Sequence, residues 1–279
     1  MEHLKKAPKA YRNNKFLNSP AGRTIRILTE YQEPYERLKK YDINDTIVFF
    51  GSARLLPMHE AKKNVADIKK KLHTIKNTKS KDYIENRKLL GFAERDLEMA
   101  QYYEDTEELA YRLTKWSMGL KKGNKFVVCS GGGPGIMEAA NRGAHKAKGL
   151  SIGLNISLPF EQFPNRYITP NLNFEFHYFF MRKFWFAYLA KALVIMPGGF
   201  GTLDELMEIL TLVQTEKLKK KMTILIYGKK FWDKVINIEA LAEYRVISPS
   251  DSKLIKFADS VDEAFDYLKK ELGKSYVKK

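Results

Sequence analysis

Two glycine-rich segments of the sequence carry the residues best suited to holding an anion. Residues 130–137 read Ser-Gly-Gly-Gly-Pro-Gly-Ile-Met, and residues 197–202 read Pro-Gly-Gly-Phe-Gly-Thr. Each segment follows a short apolar run and precedes a helical pattern, which is typical of a turn from a strand into a helix. Glycine leaves backbone N–H groups open to a ligand, and the amino terminus of a helix favours a phosphate. One such turn is explained equally well by tight packing, but two turns that converge on one ligand predict a phosphate site.

Other nucleotide-binding motifs do not fit these segments. The sequence has no Walker A motif, and residues 131–136 lack the sixth-place glycine of a dinucleotide fingerprint. An ATPase or a dinucleotide-dependent redox enzyme is therefore disfavoured. Thr202 and Glu205 have the spacing of a capping box, in which Thr202 would cap a helix and Glu205 would reach back to the cap. This structural interpretation of Glu205 stands beside a chemical one.

Short apolar runs must position these two turns. Helical patterns separate the strand-like runs, which are residues 46–50, 126–129, 151–158, 192–196, 223–227 and 254–257. Runs that are apolar on both faces are typical of a parallel sheet covered on two sides. The predicted fold is therefore an α/β, Rossmann-like three-layer sandwich with a mostly parallel sheet.

The remaining segments are assigned from composition and periodicity. The proline-rich residues 159–175 are predicted to form a loop, and residues 176–191 an aromatic helix. Residues 202–217 and 231–244 are each predicted to form one helix. Because its aromatic residues cover every face, the helix at 176–191 is expected to be buried on all sides.

Two additions extend the predicted sandwich. Residues 1–43 form a polar, basic N-terminal extension with a helix around residues 24–40. Residues 44–279 form the predicted nucleotide-binding catalytic domain. Within it, residues 59–119 show two helical patterns joined by a turn, which predicts a helical hairpin inserted between the first two strands.

Composition narrows the class of protein. The 279 residues carry a formal net charge of +16, which attracts anions without choosing among phosphorylated metabolites, nucleic acid and anionic lipid. A single cysteine, Cys129, and five scattered histidines fit neither a disulfide framework nor a zinc motif, so we expect no metal and interpret Cys129 as a core residue. The N-terminus does not resemble a signal peptide, and charges interrupt the most apolar stretch, residues 174–196. We therefore expect a cytoplasmic protein without membrane contact.

The glycine segments and their neighbouring motifs resemble those of a known family. Pro197-Gly-Gly-Phe-Gly-Thr-Leu-Asp-Glu205 resembles PGGxGTxxE, the hallmark of the Lonely Guy (LOG) cytokinin-activating enzymes. Gly131-Gly-Gly-Pro-Gly-Ile-Met137 is similar to their other glycine loop, Met181-Arg-Lys183 to their arginine–lysine element, and Gly51-Ser52 to their early Gly-Ser turn. Many members carry a lysine decarboxylase label that the chemistry of the family does not support.

The resemblance covers about residues 46–230 and implies a phosphoribohydrolase that uses no cofactor. Such an enzyme hydrolyses a nucleoside 5′-monophosphate, AMP or a cytokinin nucleotide, to a free base and ribose 5-phosphate. Arg182 and Glu205 would be the catalytic pair, and Glu161 is a further candidate for substrate binding. The residues expected to bind the phosphate or the rest of the nucleotide are Ser52, Arg54, Gly132, Gly133, Met137, Lys183, Gly198, Gly199, Gly201 and Thr202.

The chemistry of the reaction explains these residue types. Breaking an N-glycosidic bond builds positive charge on the ribose, which a nearby carboxylate stabilises while it orients the attacking water. Glu205 meets that need. The guanidinium of Arg182 can hold the carboxylate or assist the leaving base.

Three features depart from the short members of the family. They are the N-terminal extension, the helical hairpin, and Glu138, which follows Met137 where short members usually have a small residue. The chain is more similar to longer, bacterial-type members. We expect a homodimer, which the resemblance also implies, with the helix at residues 176–191 near the interface.

Two other functions use the same features. A non-catalytic nucleotide sensor needs the glycine loops but not the Arg182–Glu205 pair. A nucleic-acid binder is motivated by the net charge, although no basic strip is interleaved with aromatic residues. A nucleoside monophosphate is therefore the expected partner, and nucleic acid is the less favoured one.

Overall fold

The computed structural model describes residues 3, 6–121, 125–159 and 163–277. These residues contain one sheet, whose strands are β1 (Asp45–Phe50), β2 (Phe126–Ser130), β3 (Ser151–Ile156), β4 (Asn173–Phe176), β5 (Ala190–Ile195), β6 (Thr223–Tyr227) and β7 (Ile255–Ala258). Neighbouring strands pair in parallel throughout, in the order β4-β3-β2-β1-β5-β6-β7. The predicted parallel sheet is confirmed.

Helices connect most of these strands. They are α1 (Asn14–Leu17), α2 (Arg23–Lys40), α3 (Met58–Thr74), α4 (Lys81–Met118), α5 (Ile136–Lys146), α6 (Phe179–Leu189), α7 (Phe200–Gln214), α8 (Lys229–Val235), α9 (Ile238–Glu243) and α10 (Val261–Tyr276). None of the described helices combines the length and the apolar character needed to cross a lipid bilayer.

The central strand shows why the fold has three layers. Side chains on a strand alternate between its faces, and β1 is apolar on both. Ile47 and Phe49 pack into a core with α4, α5 and α10, whereas Val48 and Phe50 pack into a second core with α2, α6, α7 and α8. The predicted three-layer α/β sandwich is confirmed.

The helical hairpin formed by α3 and α4 is partly an insertion and partly a layer of the sandwich. At its outer end, Val65, Leu90 and Ala93 form a small core of their own. At the inner end of α4, Leu109 and Leu113 are fully buried in the core beneath the sheet. The inner part of α4 is therefore the crossover helix between β1 and β2.

The N-terminal extension contributes to the main core. Helix α2 lies in the same layer as α6, and its Leu38 is buried there together with Ile43. Pro34 lies inside α2 and is also buried. Helix α2 and the turn that follows it thus cover one face of the sheet.

The structure corrects the prediction for residues 159–191. The end of the predicted loop is a short strand, β4, which extends the sheet beyond β3. The predicted aromatic helix is divided among the end of β4, helix α6 and the start of β5. Aromatic residues are frequent in both strands and buried helices, so the aromatic sequence did not show where the strand ends and the helix begins. Pairing of β4 with β3 sets that boundary.

Two further predictions about helices are wrong. Residues 231–244 form two helices, because the chain leaves the helix at Ile236 and the side chain of Asn237 caps a new one through the Ala240 N–H. Helix α6 is not buried on all sides, since Phe179 and Phe180 are each about half exposed. The face of α6 that is covered by the core carries Trp185.

The order of the strands creates a crevice at the carboxyl ends of the central strands β1 and β5. The chain runs outward from β1 to β4 and then returns to place β5 on the other side of β1. The loops after β1 and β5 therefore lead in opposite directions. Open parallel sheets bind their ligands at such a switch point, outside the carboxyl ends of the strands.

Candidate active site

A cavity of about 750 Å³ opens at this switch point, at the carboxyl ends of β1, β2 and β5. Ser52 and Arg54 line it from the loop after β1, and Gly131 and Met137 line it from the first glycine segment. The second glycine segment and helix α7 line the cavity with Gly198, Gly199, Gly201, Thr202 and Glu205, and helix α6 adds Arg182. Both glycine segments therefore face one cavity, which binding of a single anion requires.

The loop after β1 joins the two glycine segments. The N–H of Ser52 donates to the carbonyl of Pro197 at 2.9 Å, and the carbonyl of Ser52 accepts from Ile136 N–H at 3.0 Å. On the far side, Met196 N–H donates to the carbonyl of Phe50 at 2.8 Å. These hydrogen bonds hold the starts of α5 and α7 in a common frame.

The glycines of the first segment serve its own packing. Gly132 and Gly135 have φ values of +76° and +68°, which side chains rarely adopt. A Cβ on Gly132 would meet the side chain of Asn155 at 2.4 Å. The N–H of Gly132 donates to Ser130 Oγ, and Asn165 Nδ2 donates to the carbonyls of Gly132 and Gly133. Gly132 and Gly133, both expected to bind phosphate, are not among the residues that line the cavity.

The second segment has open space where the first is packed. A Cβ added to Gly199 or Gly201 would meet no atom of the described part of the chain within 4 Å. Helix α7 begins at Phe200 with Gly199 at its N-cap, and no side chain caps it. The first N–H groups of a helix have no partner within it, so those of α7 are available to a ligand.

The start of α7 at Phe200 shows that the capping-box interpretation is wrong. Thr202 lies in the first turn and is not the N-cap. Its side chain covers Gly198, where a Cβ would lie 2.1 Å from Thr202 Oγ1. Glu205 is therefore one turn further into the helix than a capping box requires, and it faces the cavity.

Arg182 and Glu205 form a buried pair at the floor of the cavity. Arg182 Nη2 lies 3.8 Å from Glu205 Oε1, and the two side chains are 16% and 6% exposed. Burial raises the pKa of Glu205 to about 7, although Arg182 and Lys183 act to lower it. Burial also lowers the pKa of Arg182, against the attraction of Glu205. Among the described residues, nothing accepts a hydrogen bond from Arg182 Nε. The pair thus keeps hydrogen-bonding capacity that a ligand can use.

Lys183 follows Arg182 but turns away from the cavity. Its ammonium lies 2.8 Å from Asp204 Oδ2 and 2.7 Å from Glu208 Oε2, both on α7. Because successive residues of a helix point about 100° apart, Arg182 faces the cavity while Lys183 joins α6 to α7. The structure does not bring Lys183 together with the other expected ligand-binding residues.

The cavity also has an apolar wall that the sequence analysis did not predict. Phe179, Phe200 and Val235 contribute to it, and Phe200 is 92% exposed. The guanidinium of Arg182 lies 5.2 Å from the centre of the Phe179 ring. Phe200 stands inside the second glycine motif and could have been noticed, but Val235 comes from α8 and is brought in only by folding.

Two other sequence features have different outcomes. Glu161 lies outside the described residues. Glu138 accepts a hydrogen bond from Tyr103 Oη at 3.1 Å, and Tyr103 is buried on α4. Two of the three departures from the short family members, Glu138 and the hairpin, are therefore in contact with each other.

Comparison with known proteins gives two matches in sequence. Residues 137–268 match the family model described as possible lysine decarboxylase. A probable cytokinin riboside 5′-monophosphate phosphoribohydrolase, LOGL3, from Oryza sativa subsp. japonica is 32% identical over 87 residues. That match spans 31% of this chain and 41% of the rice protein, which is less than half the length of the relative.

Solved structures are similar at lower identity. The X-ray structure of TM1055, a structural genomics target, is 17% identical with a TM-score of 0.47, over 81% of this chain and 99% of that one. The molybdenum cofactor binding protein from the phototrophic bacterium Rippkaea orientalis is 21% identical with a TM-score of 0.41, over 60% of this chain and 87% of that one.

Proposed function

Because the family match and the curated relative confirm the resemblance to the Lonely Guy family, we propose that this protein is a nucleoside 5′-monophosphate phosphoribohydrolase. Its substrates are AMP-like nucleotides, and cytokinin nucleotides fall within that class. Water replaces the base at the anomeric carbon, and the products are the free base and ribose 5-phosphate.

One observation carries this proposal. The open amino terminus of α7 and the buried pair of Arg182 and Glu205 line the same cavity. Glu205 lies six residues beyond the N-cap Gly199, which is about 9 Å along the helix axis, and side chains of a helix lean back toward its amino terminus, where the anion would be held. A ribose attached to that phosphate has the length to reach the carboxylate.

The unused space at Gly201 supports the same assignment. Glycine within a helix is less stable than alanine by about 0.5–1 kcal/mol. No neighbour among the residues that the structure describes requires glycine there, because a Cβ would meet none of them within 4 Å. A phosphate that approaches the backbone gives a physical reason for a residue without a side chain.

In this proposal Glu205 acts as the ionised carboxylate. It stabilises the positive charge that develops on the ribose and accepts a proton from the water that attacks the anomeric carbon. The electron pair of the broken bond leaves with the base, which takes up a proton. Arg182, buried beside the carboxylate, keeps the ionised form of Glu205 accessible near neutral pH.

The apolar wall is the place for the base. Phe179 offers a ring on which a flat purine can stack, and Phe200 and Val235 border the opening. An aromatic side chain can stack on any nucleic-acid base, because every base has a flat face. The wall therefore supports a purine in general and does not select one base.

The test is a base-release assay with the purified full chain. AMP, other nucleoside monophosphates and adenosine are incubated separately, and free base and ribose 5-phosphate are measured by chromatography. We expect AMP-like monophosphates to be cleaved and adenosine to be a poor substrate, because it lacks the phosphate that α7 holds.

The same assay separates the alternatives. Arg182→Ala should bind AMP but release little base, and normal release by a folded Arg182→Ala protein would contradict the catalytic pair. Binding of AMP without any cleavage by the wild-type protein would favour a nucleotide sensor. Tight, strongly salt-dependent binding of oligonucleotides without AMP binding would favour a nucleic-acid protein.

We also propose that the active form is a homodimer in the cytoplasm. The proposal is supported by the exposed aromatic residues of α6, where Phe179, Phe180 and Tyr188 are 51%, 50% and 46% exposed. Adjacent exposed aromatic side chains are typical of a surface that pairs with a partner. Light scattering should give twice the monomer mass, and a stable monomer would contradict this proposal.

A further inference from the structure

We propose that Glu30, on helix α2 of the N-terminal extension, is the positioning residue for Arg182. The inference rests on the proposed function, in which Arg182 belongs to the catalytic pair. It gives the extension a role in the reaction although no described residue of the extension lines the cavity.

Helix α6 is capped from outside its own sequence. Its N-cap residue, Tyr178, makes no side-chain cap hydrogen bond. Instead, Glu30 Oε1 accepts from the N–H of His177 at 2.8 Å, and Glu30 Oε2 accepts from the N–H of Tyr178 at 3.2 Å. Helix starts leave N–H groups without partners and favour a negative charge, so Glu30 satisfies both needs at the start of α6.

The capped residue is also the one that holds the backbone of Arg182. The carbonyl of Tyr178 accepts from the N–H of Arg182 at 3.2 Å, as the first hydrogen bond of the helix. Tyr178 is thus bound to Glu30 through its N–H and to Arg182 through its carbonyl. A displacement of Tyr178 therefore displaces Arg182.

Two additional contacts fix α2 relative to α6. The indole Nε1–H of Trp185 donates to the backbone carbonyl of Glu30 at 2.9 Å, and Trp185 is only 3% exposed. Arg26 Nε donates to the hydroxyl of Tyr178 at 3.2 Å. These contacts hold the backbone of Glu30 against α6, which places its carboxylate at the start of that helix.

The start of α6 is held by the contacts with Glu30, by its short connection to β4, and by Lys183, which binds Asp204 and Glu208 of α7. Only His177 and Tyr178 separate the end of β4 from the start of α6. The catalytic pair meets at 3.8 Å, without a hydrogen bond between the two side chains that would correct a displaced helix. The position of Arg182 opposite Glu205 consequently depends on how the first turn of α6 is held.

Loss of the cap should change turnover more than affinity. The phosphate is assigned to α7, which Glu30 does not contact, so the anchoring of the nucleotide remains. Misplacement of a catalytic group by about 1 Å can lower the rate up to 100-fold. Glu30→Ala should therefore lower kcat by a larger factor than it raises the dissociation constant for AMP, to which Phe179 at the start of α6 contributes only the stacking of the base.

The experiment compares Glu30→Ala with Glu36→Ala in the full-length protein. Glu36 is an exposed carboxylate on the same helix, and its side chain accepts a hydrogen bond from Gln32 within that helix. We expect kcat for AMP to fall about tenfold in Glu30→Ala, as a small misplacement would cause, and to stay unchanged in Glu36→Ala. Glu30→Gln, which keeps an acceptor oxygen, should recover part of the loss and also covers the case in which Glu30→Ala does not fold.

A second measurement does not depend on catalysis. Arg182 and Lys183 of α6 lower the pKa of Glu205, while Asp204 and Glu208 of α7 raise it. If the capping residue is lost and α6 shifts, the two cations move and the pKa of Glu205 rises. Carboxyl-carbon NMR of glutamate-labelled protein, with Glu205→Gln to assign the resonance, measures that change.

The outcomes separate this inference from the proposed function. If the wild-type protein releases no base but Glu30→Ala raises the pKa of Glu205, the positioning role stands and the proposed reaction fails. If base is released and a folded Glu30→Ala protein keeps both kcat and the pKa of Glu205, the positioning role is overturned. A fall in kcat equal to that of Glu36→Ala would overturn it as well.

Discussion

The two glycine segments look alike in sequence but use their glycines differently. In the first, Gly132 and Gly135 adopt positive φ values and touch neighbouring loops, so the backbone could not carry side chains there. In the second, Gly199 and Gly201 adjoin open space at the start of α7. Gly132 and Gly135 are required by the packing of the first segment, whereas in the second segment Gly198 is packed against Thr202 but Gly199 and Gly201 leave room.

The difference explains how the candidate site is built. The first segment is a rigid support, joined through Ser52 to the second. The second segment presents the free helix terminus and, six residues after its N-cap, the buried carboxylate of Glu205. Substitutions in the two segments should therefore change different properties, stability in the first and ligand chemistry in the second.

The largest effect is expected at Glu205. Glu205→Gln keeps the shape of the side chain but removes the negative charge, and base release should fall by about 100-fold or more. AMP should still bind, because the phosphate contacts remain. Glu208→Gln is the matched control, since Glu208 lies on the same helix and binds Lys183. Comparable turnover in the two variants would remove Glu205 from the mechanism.

The next effect tests the support role of the first segment. Gly135→Ala places a Cβ 2.4 Å from the carbonyl oxygen of Ser52, at a φ of +68°. Such strain should lower the free energy of unfolding by about 1–3 kcal/mol. Thermal denaturation measures the change, and an unchanged melting temperature would mean that the first segment is not rigid.

Gly201→Ala should show the opposite pattern. Alanine in the helix should raise the free energy of unfolding by about 0.5–1 kcal/mol. The added methyl group should weaken AMP binding by about tenfold, which corresponds to roughly 1.4 kcal/mol. Calorimetric titration and thermal denaturation measure the two quantities.

The control for this substitution is Gly91→Ala. Gly91 lies inside α4, and a Cβ there also meets nothing within 4 Å. Both variants should gain stability, but only Gly201→Ala should lose affinity. Equal affinity in the two variants would show that the space at Gly201 is not used by a phosphate.

The last effect concerns pH. The pKa of Glu205 is raised from its ordinary value of 4.5 to about 7 in the folded protein. Below pH 4.5 the carboxyl group of Glu205 is protonated in the folded and the unfolded protein. Between pH 4.5 and pH 7 only the unfolded protein releases the proton, so the folded state becomes less stable as the pH rises. The free energy of unfolding of the wild-type protein should therefore decrease relative to that of Glu205→Gln by about 3 kcal/mol. Denaturant titrations at pH 4.5 and pH 8 measure it, and a constant difference would contradict the raised pKa.

Much of the sandwich could be predicted from local sequence. Buried parallel strands are short and apolar on both faces, as in Ile47–Phe50, and glycines follow two of them. The exceptions were β4 and the limits of α6. Their aromatic run suits either structure, so the choice was made by pairing with β3 and by packing against α2.

The candidate site divides in the same way. The sequence by itself determined the two glycine segments and the residues Arg182 and Glu205, because motif and spacing are properties of the chain. Only the tertiary structure decided that Lys183 faces α7, that Val235 borders the cavity and that Glu30 caps α6. These contacts join residues that are distant in sequence, or depend on which side of a helix a residue faces. The packing of one element on another determines both.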